Sequence, residues 1–248
     1  MTPVNHQARL NELSIRLNKG DDIRVFVTHA GYGVDKHLPN SYQYEYVTFL
    51  RSPIERVISG YAMFLRQGKV AQDLKLSDFV RLYPKPGWNM QTSFLSGYFL
   101  SCHLENKVPL QEAFTVDMLA QAKSNLELHA VVGLTECFDD SLLFLRRRFG
   151  WNWPSLVYSS TNIGTNKASV DKFSDATIQF VLDHNQLDME LYAYAKTLFG
   201  RQTENYGPRL KRDRIVLSAM NNVLSSALQK SAPAVRVLVR GYRKWIRN

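Results

Sequence analysis

This 248-residue chain predicts an α/β fold, a parallel sheet flanked by helices, and three observations predict it. Short β-branched and aromatic runs recur at residues 23–27, 46–50 and 129–133, the composition of buried strands. Longer stretches with apolar residues at helical spacing lie between them. The second run ends at Arg51-Ser52-Pro53, where a helix start follows directly. Strands alternating with helices make parallel sheets, and such sheets bind ligands at the carboxyl ends of their strands.

Taken in order, residues 7–17 carry a helical pattern and residues 23–27 a strand, after which comes Val27-Thr28-His29-Ala30-Gly31-Tyr32-Gly33. Residues 46–50 form the next strand, ended by Arg51. Ser52 is placed to cap a helix over residues 53–66, Pro53 suits its first turn, and Glu55 sits three residues after the cap to complete a capping box. Helical patterns follow at residues 89–100 and 116–126, then the strand 129–133. A helix over 138–149 ends in Arg146, Arg147 and Arg148, where cations suit its dipole. Residues 151–171, rich in Ser, Thr, Asn and Gly, read as a long loop, and residues 174–199 as helix with a break near Asn185.

The junction at Arg51 is where chemistry is expected. A strand running into a helix leaves backbone N–H groups and a positive dipole end facing outward, and Arg51 adds a planar fork of donors there. Ser59, seven residues after Ser52, lies two turns along the same face, so its hydroxyl can share an anion with Arg51. The plainer alternative is that Arg51 only pairs with Glu55. His29 follows the strand 23–27 at the ligand-binding edge, where a base or a turn-ordering histidine would each fit; histidine exchanges protons near neutral pH. Asn89 and Gln91 offer amides for acceptor hydroxyls and Trp88 a face for a sugar; surface amides and a core tryptophan are the alternative.

Arg51-Ser-Pro-Ile-Glu-Arg-Val-Ile-Ser59 resembles the 3′-phosphate motif of sulfotransferases that use 3′-phosphoadenosine 5′-phosphosulfate, in the carbohydrate group that contains heparan sulfate 2-O-sulfotransferase. His29, then Asn89-Met90-Gln91-Thr92 with Gly97, Val132-Gly133-Leu134-Thr135-Glu136 with Phe138 and Ser141, and Asp188 with Leu191-Tyr192 follow that family's order across roughly residues 23–200. The resemblance implies a sulfotransferase fold, akin to P-loop nucleotide-binding proteins. It implies 3′-phosphoadenosine 5′-phosphosulfate as co-substrate, no metal, and a hydroxyl-bearing glycan acceptor. It makes His29 the base, places Arg51 and Ser59 on the 3′-phosphate, and gives Thr135 and Lys167 nucleotide contacts, Lys167 from a segment that closes over the nucleotide. Thr135 and Glu136 are equally placed to orient the acceptor or cap the next helix, and Lys167 to be a solvated loop lysine. Ser93 stands where relatives often carry a basic residue. Nothing in the chain matches the family's N-terminal Pro-Lys-Thr-Gly-Gly-Thr-like loop, so either an incomplete enzyme or a non-catalytic anion-binding or scaffold homologue is expected.

The net charge of +9 resides in the tail: residues 209–248 hold ten Lys and Arg against Asp213 alone, while residues 1–208 hold 21 of each sign. A sulfotransferase-like domain over 1–208 and a basic tail over 209–248 are therefore expected, with no specific nucleic-acid partner for the body. After Pro233, Arg236, Arg240, Arg243 and Arg247 recur at helical spacing beside Val235, Leu238, Val239, Tyr242 and Ile246, a basic amphipathic helix suited to an anionic membrane surface or polyanion, or to packing on the body. Two cysteines, Cys102 and Cys137, make no disulfide framework. With no signal-like or membrane-spanning run, a cytoplasmic setting, peripheral to the membrane at most, is the expectation.

Overall fold

The computed structural model describes residues 6–83, 88–104, 115–158 and 170–230. Two strands, β1 (Val47–Leu50) and β2 (Val131–Leu134), pair in parallel with Val47 opposite Val131 and Leu50 opposite Leu134. Helices surround them: α1 (His6–Asn18), α2 (Pro53–Arg66), α3 (Leu76–Leu82), α4 (Met90–Ser96), α5 (Tyr98–Leu104), α6 (Val116–Glu127), α7 (Phe138–Phe149), α8 (Asp175–Asp183), α9 (Gln186–Tyr206) and α10 (Arg209–Lys230). The fold is α/β, as the alternation predicts.

The α2 and α7 boundaries follow from local chemistry. Pro53 sits at the first position of α2, where its missing N–H costs nothing. Gly150, at φ 65°, ends α7 in the left-handed conformation. Gly97, at φ 85°, divides what reads as one helix over 89–100 into α4 and α5. The chain also breaks at Asn185, between α8 and α9.

Residues 23–27 depart from expectation, for no strand forms there and Val25, Phe26 and Val27 are exposed. A β-rich run becomes a strand only when a neighbour pairs with it. The outer edge of β2 is closed by side chains instead. Gln202 accepts from Val132 N–H at 3.2 Å and donates to its carbonyl at 2.8 Å, and Ser141 accepts from Leu134 N–H at 3.0 Å.

The main core lies between the sheet and helices α6, α7 and α9, with Leu50, Leu126, Val131, Leu143 and Leu191 almost fully enclosed. Helix α7 approaches β2 closely at Gly133, where a Cβ would meet the Cβ of Ser141 at 3.0 Å and, from β1, the Phe49 ring at 2.8 Å. A second cluster joins α2, α3 and α8 around Phe79, and a third packs α1 on the segment after His29. Helix α10 docks on the body: Leu210 and Leu217 are buried in the main core, Arg214 pairs with Asp140, and Asn221 accepts from Tyr158 N–H. The amphipathic pattern after Pro233 lies outside the described residues.

Candidate functional site

The carboxyl ends of β1 and β2 are stitched together by their loops. Thr135 Oγ1 donates to the Leu50 carbonyl at 3.1 Å, and Glu136 accepts from Ser52 N–H at 2.6 Å. The expected capping box therefore does not form. The Ser52 side chain makes no cap bond, and Glu55 turns away to pair with Arg51 at 3.2 Å. A carboxylate from the neighbouring strand's loop competes better for the exposed amide because it answers both that donor and the positive end of α2. Tyr192 also hydrogen-bonds Glu136, and burial followed by the Glu136 charge pushes its hydroxyl up to about 12.

Arg51 stays partly open, its side chain 34% exposed beside a Glu55 that is 44% exposed. An ion pair this wet contributes only about 0–1 kcal/mol. Ser59 lies one turn beyond Glu55 on the same face of α2 and is exposed. The fork of Arg51 and the hydroxyl of Ser59 thus flank one carboxylate, in a pair weak enough for an anion to displace at Arg51.

Beneath this surface is a buried polar junction. Asp188, fully enclosed on the first turn of α9, accepts from Gln91 N–H at 3.1 Å, from Thr92 N–H at 2.7 Å and from the Thr92 hydroxyl at 2.8 Å. It caps a helix to which it does not belong. Asn185 accepts from Asn89 N–H, and Asn89, held at φ 35°, accepts in return from Asp188 N–H. The starts of α4 and α9 therefore cap each other. Arg56 reaches the same carboxylate at 3.8 Å, with Nε and Nη2 sealed from solvent and without a hydrogen-bond partner. Burial pushes its guanidinium below the ordinary arginine range, and Asp188 opposes that shift.

Gln91 carries the junction to the surface. Its carboxamide accepts from Arg51 N–H at 2.9 Å and donates to the Arg51 carbonyl at 3.0 Å. Both ends are committed to the backbone, so Gln91 does not point to an acceptor as the sequence suggested, and the Asn89 oxygen is committed to α9. Trp88 is buried in the second cluster with its ring 5.2 Å from His184, which removes it as a sugar platform.

His29 is exposed, on a loop anchored just beyond it. Ala30 is fully buried, Tyr32 N–H donates to the Phe94 carbonyl at 2.8 Å, and Gly31 packs so tightly that a Cβ would stand 2.9 Å from that oxygen. Tyr46 closes the turn, accepting from Gly33 and Asp35 N–H and donating to the Asp35 carboxylate. Helix α4 therefore holds Arg51 through Gln91 and the His29 loop through Phe94, three residues apart and about 4.5 Å along its axis. Lys167 lies outside the described residues.

Sequence reading alone missed Arg56 and the reciprocal caps. Arg56 had one visible signal, a charge next to the buried Val57 and Ile58. The caps pair residues nearly a hundred positions apart and leave no local trace.

The galactose-3-O-sulfotransferase sequence profile matches residues 23–238. Among curated proteins, heparan-sulfate 6-O-sulfotransferase 2 of Mus musculus is 28% identical over 210 residues, covering 72% of this chain and 34% of its own length. Galactose-3-O-sulfotransferase 3 of Mus musculus is 25% identical over 224 residues, covering 79% of this chain and 51% of its own. The Gallus gallus heparan-sulfate 6-O-sulfotransferase 2 is 29% identical over 206 residues, 69% of this chain and 50% of that protein. The chain spans between a third and about half of the length of these relatives.

Proposed function

Since the chain belongs to the galactose-3-O-sulfotransferase family, we propose that it binds 3′-phosphoadenosine 5′-phosphosulfate and moves its sulfuryl group to a carbohydrate hydroxyl. The observation that carries this reading is the Arg51 junction, a partly open guanidinium at a helix start, its backbone fixed and its one side-chain partner weak. The 3′-phosphate would take Arg51 from Glu55, a gain in charge and in hydrogen bonds, with Ser59 adding a donor from the next turn.

His29, exposed on a loop tied to the same helix as Arg51, would take the proton of the acceptor hydroxyl. The acceptor oxygen then bonds to sulfur as the bond from sulfur to the bridging phosphate oxygen breaks. The sulfate ester and 3′-phosphoadenosine 5′-phosphate leave as products. A positioned base contributes about 10²–10⁴ in rate, and the remainder is positioning and charge stabilisation.

One observation supports a second reading, a non-catalytic scaffold. Glu55 and Glu136 already occupy the donors that an anion would use. Calorimetric titration with 3′-phosphoadenosine 5′-phosphate separates the two. Micromolar binding, about −8 kcal/mol, that is lost in Arg51→Ala supports the nucleotide-binding reading. Binding that is absent, or indifferent to Arg51→Ala, favours the scaffold.

A further inference from the structure

We infer that Gln91 is a positioning residue for the 3′-phosphate site, the group that aims Arg51, and not a contact for the acceptor. The inference rests on the nucleotide reading above and concerns how that site discriminates.

A carboxamide that answers both the N–H and the C=O of one residue, at 2.9 and 3.0 Å, behaves like a short length of neighbouring strand. It fixes the orientation of the Arg51 peptide groups where the ladder with β2 has ended. Among the described residues the guanidinium itself is held only by the half-exposed Glu55, so its direction is set from the backbone side. Without the clamp, a long side chain carrying about 2 kcal/mol of rotamer freedom would leave a strand end that can itself rotate.

Gln91 can act this way because it is itself held. Its N–H is on Asp188 Oδ2, and the next residue gives both its N–H and its hydroxyl to Asp188 Oδ1. The chain of support runs from a buried carboxylate through the first turn of α4 to the Arg51 backbone, every link a hydrogen bond of 3.1 Å or less. A glutamine recruited for an acceptor sugar would keep one end of its amide free. Gln91 keeps neither.

The test compares two nucleotides that differ only in the 3′-phosphate, 3′-phosphoadenosine 5′-phosphate and adenosine 5′-monophosphate, on the full chain, Gln91→Met and Gln91→Glu. Methionine keeps the length and loses both hydrogen bonds; glutamate keeps the acceptor, loses the donor and adds a charge. The wild-type chain should prefer the 3′-phosphorylated nucleotide, and each variant should lose about tenfold of that preference, the worth of one such contact. Affinity for adenosine 5′-monophosphate should change less than about twofold, which a general loss of structure would not allow. If Gln91→Met fails to fold, Gln91→Glu reads the same ratio. An unchanged ratio in a folded variant, or equal losses for both nucleotides, overturns the role of Gln91 alone. A wild-type chain without preference overturns the nucleotide reading beneath it.

Discussion

The two sides of helix α4 are built by different means. At its start, Arg51 is held by a side-chain clamp that is braced by Asp188, Arg56, Asn89 and Asn185, of which Asp188 and Asn185 are fully buried. At its end, the His29 loop meets α4 through the Tyr32–Phe94 backbone hydrogen bond and the close approach of Gly31, and the segment leading into it leaves Val25 at 60% and Val27 at 74% exposure. The difference teaches where organisation precedes ligand. The Arg51 side has its geometry before anything binds, whereas the histidine side has its firmest anchors, Ala30 and Tyr32, downstream of the histidine itself.

The sharpest way to break this contrast is Asp188→Ala. It strands a buried guanidinium and frees the amides of Gln91 and Thr92, so a loss of about 3–5 kcal/mol in urea unfolding is expected. A loss under 1 kcal/mol would show that the junction is not the stronger side. Gly31→Ala is next. At φ 95°, and with its Cβ 2.9 Å from the Phe94 oxygen, it should cost about 1–3 kcal/mol. A thermal midpoint equal to wild type would mean that the loop simply shifts off α4. The smallest effect belongs to Val27→Thr, which changes an exposed side chain outside any ladder and should stay within about 0.5 kcal/mol. A larger destabilisation would reveal packing on that segment and erase the distinction.

What the sequence made legible was what local chemistry decides. Proline at the first helical position fixed the start of α2, the arginines at 146–148 marked the end of α7, and β1 and β2 followed from their apolar runs. Residues 23–27 satisfied the same pattern, yet they took no ladder partner, because strand character is completed by a neighbour. Residues 76–82, to which the sequence reading assigned no element, are the helix α3, whose Phe79 and Val80 are fully buried. Arg51 at the strand end and Ser59 on the exposed face of α2 stand where the sequence pattern puts them. Glu55 was misread as a cap because its competitor for Ser52 N–H, Glu136, lies 84 residues away. Asn89, Gln91 and Trp88 suggested a sugar surface by residue type alone, and only the fold reveals two amides turned to backbone and an indole turned to the core.

The reciprocal caps of α4 and α9 bear on how the molecule comes into being. Asn89 and Asn185 meet across 96 residues, so neither helix has a complete first turn until a loop of that length has closed. Closing a loop costs entropy before any contact rewards it, and contacts this distant in sequence slow folding. The Arg51 clamp hangs on that late closure. The chain therefore acquires the backbone geometry of Arg51 in the same kinetic step that joins its middle to its C-terminal helices. A partly folded species with a finished β1, β2 and α2 would still lack it.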